Sequence, residues 1–154
     1  MNPFFASEGR LQALRFHAAE LLDTPFAPHA MVPGAGMDCI GVPAWVYIKT
    51  GLLKEFKAPA YTLDGGKHTD QSKVLAWLAA SEHFARAPLA HPIPGDVLCF
   101  RQRRTEHHVG LMITELDFIH SVEKYGVIKT SLNEPIYRAG LTAVFRPVQA
   151  EVPA

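Results

Sequence analysis

Hydrophobic positions in the first half of the chain recur at helical spacing. Between Ser7 and Leu22, the residues Leu11, Leu14, Ala18, Leu21 and Leu22 fall on one face. Ser7 is a good N-cap and Pro25 an exit signal, so the pattern predicts a helix. Asp23 to Asp38 carries Pro25, Pro28, Pro33, Gly34 and Gly36 and reads as turns. The apolar run Cys39 to Thr50, closed by Gly51, predicts a second helix with Ala44, Tyr47 and Ile48 on its buried face. Lys54 to His68, with Pro59, Tyr61 and Gly65-Gly66, reads as a loop. Thr69 or Asp70 then caps a third helix through Phe84, with Val74, Trp77, Leu78 and Phe84 inward. Pro88, Pro92 and Pro94 end it.

The second half changes texture. Val97–Phe100, His108–Ile113, Phe118–Val122, Val127–Leu132 and Leu141–Phe145 are short runs of β-favouring residues separated by turn or charged residues. Helices first and strands afterwards predict an α+β fold, with N-terminal helices packed on one side of an antiparallel sheet. The pattern shows no internal repeat.

Composition narrows the class. At 154 residues, 48% hydrophobic and 19% charged, the chain fits one domain spanning 1–154 with a core that needs no disulfide staples. Fifteen basic residues balance fifteen acidic ones, which argues against a nucleic-acid partner. The local cluster Arg101, Arg103 and Arg104 is too short to change that and reads as a solvated loop. No run approaches the roughly 18 apolar residues of a membrane span. Residues 1–8 have neither a basic n-region nor a long apolar h-region, so cytoplasmic synthesis without a signal peptide is expected.

Candidate chemistry centres on a cysteine and two histidines. Asp38 as N-cap would put Cys39 in the first helical turn, where unpaired N–H groups and the helix dipole favour a partly exposed thiolate. The bland alternative is a small buried core residue. His108 opens one strand and His120 lies on the next, 120 − 108 = 12 residues on, a spacing that fits two histidines side by side on one face. One could then take the cysteine proton while the other fixes its tautomer; the alternative is a pair of half-exposed strand histidines. His107 points to the opposite face if the segment is a strand. Cys99 lies in an apolar run and reads as a buried strand residue; a single disulfide with Cys39 is possible in principle, but two widely spaced cysteines are not a disulfide framework. His17, His29, His68, His83 and His91 match no zinc spacing, so neither a metal nor a cofactor is expected. Trp45, Tyr47 and Trp77 suit a core, although aromatic residues beyond Cys39 could also wall a cleft.

Five segments carry a resemblance. Thr24-Pro25-Phe26, Gly36-Met37-Asp38-Cys39-Ile40-Gly41, Pro94-Gly95-Asp96-Val97-Leu98-Cys99-Phe100, His108-Val109-Gly110-Leu111 and Phe118-Ile119-His120-Ser121 follow one another in the order found in NlpC-type cell-wall cysteine peptidases, a papain-like family. The chain resembles in particular the branch found in phage tail gene clusters. The resemblance implies Cys39 as nucleophile, His108 as general base and His120 as the third polar residue. It implies a cysteine-bearing helix packed on a histidine-bearing sheet. It implies peptidoglycan stem peptides as substrates, most often cut between γ-D-glutamate and a diamino acid. Asp38, Phe26 and Trp45 are the candidate substrate-binding residues. Tail proteins are the expected partners, in a virion- or tail-associated setting.

Departures motivate a second expectation. Phe26 stands where many members have tyrosine, Ile40 where serine is common, and Pro43 would remove the helix bond to the Cys39 carbonyl and make the helix start irregular. A tail structural or assembly component that keeps the fold without the activity is the alternative. Acyl transfer to an acceptor other than water is a third.

Overall fold

The protein is described from a computed structural model covering residues 2–56, 69–102 and 105–149. The side chains of residues 69–74, 102 and 105–107 lie outside the description, as do the loop residues Pro59, Tyr61, Gly65 and Gly66, and Arg103 and Arg104.

The chain begins with β1 (Asn2–Pro3) and α1 (Glu8–Ala19). Ser7 caps α1, accepting a hydrogen bond from the Arg10 N–H at 3.2 Å. Leu14, Ala18 and Leu21 are buried, but α1 stops before Leu22, which is 41% exposed rather than on the inward face. The turn-rich stretch holds a small hairpin, β2 (Met31–Val32) against β3 (Gly36–Met37). Next comes α2 (Gly41–Lys49), which buries Val42, Ala44, Val46 and Tyr47. It ends as the apolar run and Gly51 predict. Gly51 has φ +87°, its N–H donates to the Ile48 carbonyl, and the Leu52 N–H donates to the Tyr47 carbonyl, a Schellman arrangement.

The third helix, α3 (Thr69–Ala80), is shorter than expected. Thr69 is its first helical residue, and Phe84 is not part of it. The Ser81 hydroxyl accepts the His83 N–H in a turn, and Phe84 opens an unforeseen strand, β4 (Phe84–Ala87). Pairing of Phe84 with Pro147 supplies the tertiary contact that overrides helical periodicity there.

The remaining elements are β5 (Val97–Gln102), β6 (Thr105–Met112), β7 (Asp117–Val122), β8 (Gly126–Ser131), α4 (Pro135–Gly140) and β9 (Leu141–Gln149). Among the described residues they form an antiparallel sheet in the order β1-β9-β5-β6-β7-β8, with β4 also on β9. Strand alternation gives the sheet two apolar faces. Val97, Cys99, Val109, Leu111, Ile119 and Phe145 pack with α1 and α2. Leu98, Phe100, Met112, Phe118, Leu132 and Val144 form the other core, against which Tyr137 of α4 packs. The α+β architecture is as predicted, with α4 an addition on the second face.

Candidate active site

The nucleophile loop is built from Thr24 onward. Thr24 is buried, and its hydroxyl accepts the Gly34 N–H at 2.8 Å. Its carbonyl accepts the Val127 N–H, which fastens this segment to β8. The half-buried Phe26 bridges to Met37. Ser121 of β7 donates to the Met37 carbonyl at 2.7 Å, fixing the backbone just before Cys39 to the sheet.

Cys39 itself lies outside the helix. Gly41 is the first residue of α2 and Ile40 its N-cap, so Cys39 precedes the cap by one position. Asp38 is therefore not the N-cap in the sense expected. Its carboxylate nevertheless reaches forward and accepts the Gly41 N–H at 2.6 Å, satisfying one of the orphan donors at the helix start. A Cβ on Gly41 would come within 2.8 Å of the Ala30 carbonyl oxygen and 3.0 Å of the Asp38 carboxylate, so this turn has no room for a side chain. Pro43 occupies the third position of α2, where an N–H has no intrahelical partner in any case. The helix starts two residues later than expected, with Cys39 in a turn and Ile40 as an N-cap that has helical dihedrals and no side-chain hydrogen bond.

The thiol environment differs from the expected exposed thiolate. Cys39 is 3% exposed, and burial pushes its pKa up to about 12, with the adjacent Asp38 carboxylate adding to the rise. Backbone hydrogen bonds from Val109, Cys39 and Ile40 pull the other way and lose to desolvation. Neither Cys39 nor Cys99 is in a disulfide; Cys99 is fully buried in β5, as expected, and burial raises it likewise to about 12.

The two histidines are brought together on the second face of the sheet. His108 Nε2 lies 2.5 Å from His120 Nδ1, and His120 Nε2 lies 2.7 Å from the Thr130 hydroxyl. Register explains the meeting. Leu111 pairs with Ile119, so one step further along the strands Gly110 faces His120 and His108 is its diagonal neighbour. Burial holds both imidazoles neutral, with His108 lowered to about 4 and His120 to about 3, the latter also through its proximity to His108. The Cys39 thiol reaches the same stretch of β6 from the α2 side, since the Val109 backbone that bonds it follows His108 directly.

Two neighbours of the pair were not foreseen. Thr130 lies ten residues beyond His120 (130 − 120) across the β7–β8 hairpin, a spacing that becomes informative only with the register, in which Thr130 pairs with Phe118. Tyr137 stands edge-on to His120 at 5.1 Å between ring centroids and also meets Phe100 and Phe118 at 5.4 Å. Its helix begins at Pro135 in a stretch without enough apolar periodicity to announce it.

The substrate-binding candidates are placed as follows. Asp38 is 1% exposed and committed to the helix start. Trp45 is half-buried at the α1–α2 contact, 5.8 Å from His17, with Lys49 Nζ 5.5 Å from its ring centre. Among the described residues no group of three or more His, Cys, Asp or Glu side chains is arranged to hold a metal ion. Nor is any helix long and apolar enough to cross a membrane.

A cysteine just ahead of a helix packed on an antiparallel sheet, with two hydrogen-bonded histidines on neighbouring strands of that sheet, is a papain-like α+β arrangement. The profile of the NlpC/P60 family matches residues 24–146, and the chain belongs to that family. Solved structures agree on the fold. A protein similar to a lipoprotein of the NLP/P60 family from Staphylococcus aureus superposes with TM-score 0.66 at 18% identity, over 96% of this chain and 44% of that one. An NlpC/P60 family protein from Bacillus cereus gives 0.59 at 22%, over 87% and 39%. The peptidoglycan hydrolase RipB of Mycobacterium tuberculosis gives 0.60 at 15%, over 97% and 69%. The chain thus spans less than half the length of the first two. No curated protein sequence matches it significantly.

Proposed function

We propose that this protein hydrolyses amide bonds in the peptide stems of peptidoglycan, at the link between γ-D-glutamate and a diamino acid, through a thioester on Cys39. The observation that carries the reading is the chain of contacts from His108 through His120 to Thr130, next to the strand residue whose backbone bonds the thiol. His108 Nε2 is engaged by His120, and in the tautomer that donates from Nε2 the lone pair on Nδ1 takes the Cys39 proton. The sulfur attacks the carbonyl carbon, and the backbone groups of Cys39 and Ile40 that bond the resting thiol would stabilise the oxyanion that forms. His108 returns the proton to the leaving amine, and water then cleaves the thioester. With the thiol near 12 and His108 near 4, both are neutral at pH 7, so proton transfer accompanies attack instead of preceding it. In the same reading the chain is made in the cytoplasm and acts with a phage tail whose proteins are its partners, supported by the ordered segments of residues 24–121.

The burial of Cys39 favours one second reading, a tail assembly component that keeps the fold without turnover. Stem-peptide cleavage, followed by mass, separates the two across a variant series with thermal unfolding as the folding control. Hydrolysis requires Cys39→Ala and His108→Ala to lose turnover, His120→Ala to keep a little, and His120→Asn to keep more, because an amide oxygen still accepts from His108. A wild-type protein that releases no product at any concentration supports the assembly reading.

A further inference from the structure

We propose that Thr130 is a positioning residue whose hydroxyl oxygen supplies the acceptor that His120 needs in the tautomer that lets His108 act as a base. The inference rests on the proposed thiol chemistry. Two proton arrangements satisfy the contacts at 2.5 Å and 2.7 Å. In the first, His108 Nε2–H donates to His120 Nδ1, and His120 Nε2–H donates to the Thr130 hydroxyl oxygen. His108 Nδ1 is then a bare lone pair, ready for the thiol proton. In the second, His120 Nδ1–H donates to His108 Nε2, and the Thr130 hydroxyl donates to His120 Nε2. His108 then carries its proton on Nδ1 and cannot accept another.

The oxygen of Thr130 makes the first arrangement possible. His120 is fully buried, between Phe118 at 4.6 Å and Tyr137 at 5.1 Å between ring centroids. Without an acceptor at Nε2, the first arrangement would leave a buried N–H unsatisfied. The second would leave only a bare ring nitrogen, and under-satisfied buried acceptors are tolerated more often than orphaned N–H groups. The same oxygen serves during turnover: once His108 becomes an imidazolium, His120 must accept at Nδ1 and therefore donate at Nε2. A half-buried side chain on β8, ten residues from the third polar residue, thus supports the state of the base two links away in the relay.

The test uses the full chain with 15N-labelled histidine. Long-range proton–nitrogen correlation spectra report the His120 tautomer, and stem-peptide kinetics report kcat and KM separately. In wild type and Thr130→Ser, His120 should carry its proton on Nε2. In Thr130→Val, nearly the same shape without the hydroxyl, the proton should move to Nδ1. The kcat should fall about tenfold, the ratio given by one unsatisfied buried donor of about 1.4 kcal/mol, with KM unchanged. If Thr130→Val does not fold, Thr130→Ala carries the same comparison. An unchanged His120 tautomer in Thr130→Val overturns the proposal. So does a Thr130→Ser protein as impaired as Thr130→Val, since the methyl group would then matter and not the hydroxyl. Absence of any wild-type turnover counts against the hydrolase reading alone, because the tautomer comparison still decides the role of Thr130.

Discussion

Replacing Gly110 by alanine tests how the histidine pair is held. A Cβ at this position would lie 2.7 Å from Phe118 Cδ2 and 3.2 Å from Cε2. Ordinary carbon contacts sit near 3.5–4.0 Å, so the Phe118 ring must retreat by about 1 Å. It has little space to do so. Phe118 is fully buried and meets Phe100 at 5.2 Å, Tyr137 at 5.4 Å and His120 at 4.6 Å between ring centroids. Any shift of the ring therefore presses on His120 and on its 2.5 Å contact with His108. Overpacking of this kind costs about 1–3 kcal/mol in stability. A displacement of roughly 1 Å in a catalytic group can cost about 10²-fold in rate. Gly110→Ala should therefore lower the unfolding free energy by that amount in urea titration, and lower kcat far more than the stability loss alone explains. A variant with wild-type unfolding and wild-type kcat would show that Phe118 does not transmit position to His120, and the reasoning would fail.

Two further outcomes follow from burial. Cys39 should react with iodoacetamide at pH 7 roughly 10²-fold more slowly than an exposed thiol of pKa about 8.5, because the higher nucleophilicity of a high-pKa thiolate only partly offsets its scarcity. Cys99 should be equally slow, and rapid selective labelling of Cys39 would mean that the thiol ionises in the resting protein. His108 and His120 have folded pKa values of about 4 and about 3 against 6.5, so the unfolded chain takes up protons first. Their neutral burial is without pH penalty above about 6.5, and stability is lost as pH falls from there towards 4. The pH slope of the melting temperature across this window should be shallower in His120→Asn than in wild type; equal slopes would refute the buried neutral pair.

Much of this was legible in residue order because the relevant signals are local. The Ser7 cap, the Gly51 terminus and the five strands of the second half follow from spacing and from residues with one strong backbone preference. The meeting of His108 and His120 was legible too, since strand alternation and a short hairpin determine which residues share a face. The Pro94-Gly95-Asp96 segment was recognisable as a pattern, yet its role appears only in three dimensions. Gly95 has φ +96° and its carbonyl accepts the Tyr47 hydroxyl, while the Asp96 carboxylate holds Arg146 at 2.9 and 3.0 Å. What escaped depended on distant partners. Phe84 obeys the helical period but pairs with β9, 63 residues later (147 − 84). The ionisation of Cys39 is decided first by how deeply the fold buries it, which residue order does not reveal, and only then by the adjacent Asp38. Thr130 and Tyr137 join the histidines only through the β7–β8 register and the packing of α4.

The central claim is that Cys39 carries the acyl group. Rapid acid quenching of the protein during turnover of a peptidoglycan stem peptide, followed by intact mass and peptide mapping, tests this directly. The account requires an adduct with the mass of the acyl fragment on the peptide containing Cys39, absent from Cys39→Ala, which should release no product. Cleavage that persists in Cys39→Ala, or an adduct mapped to Cys99, would contradict it.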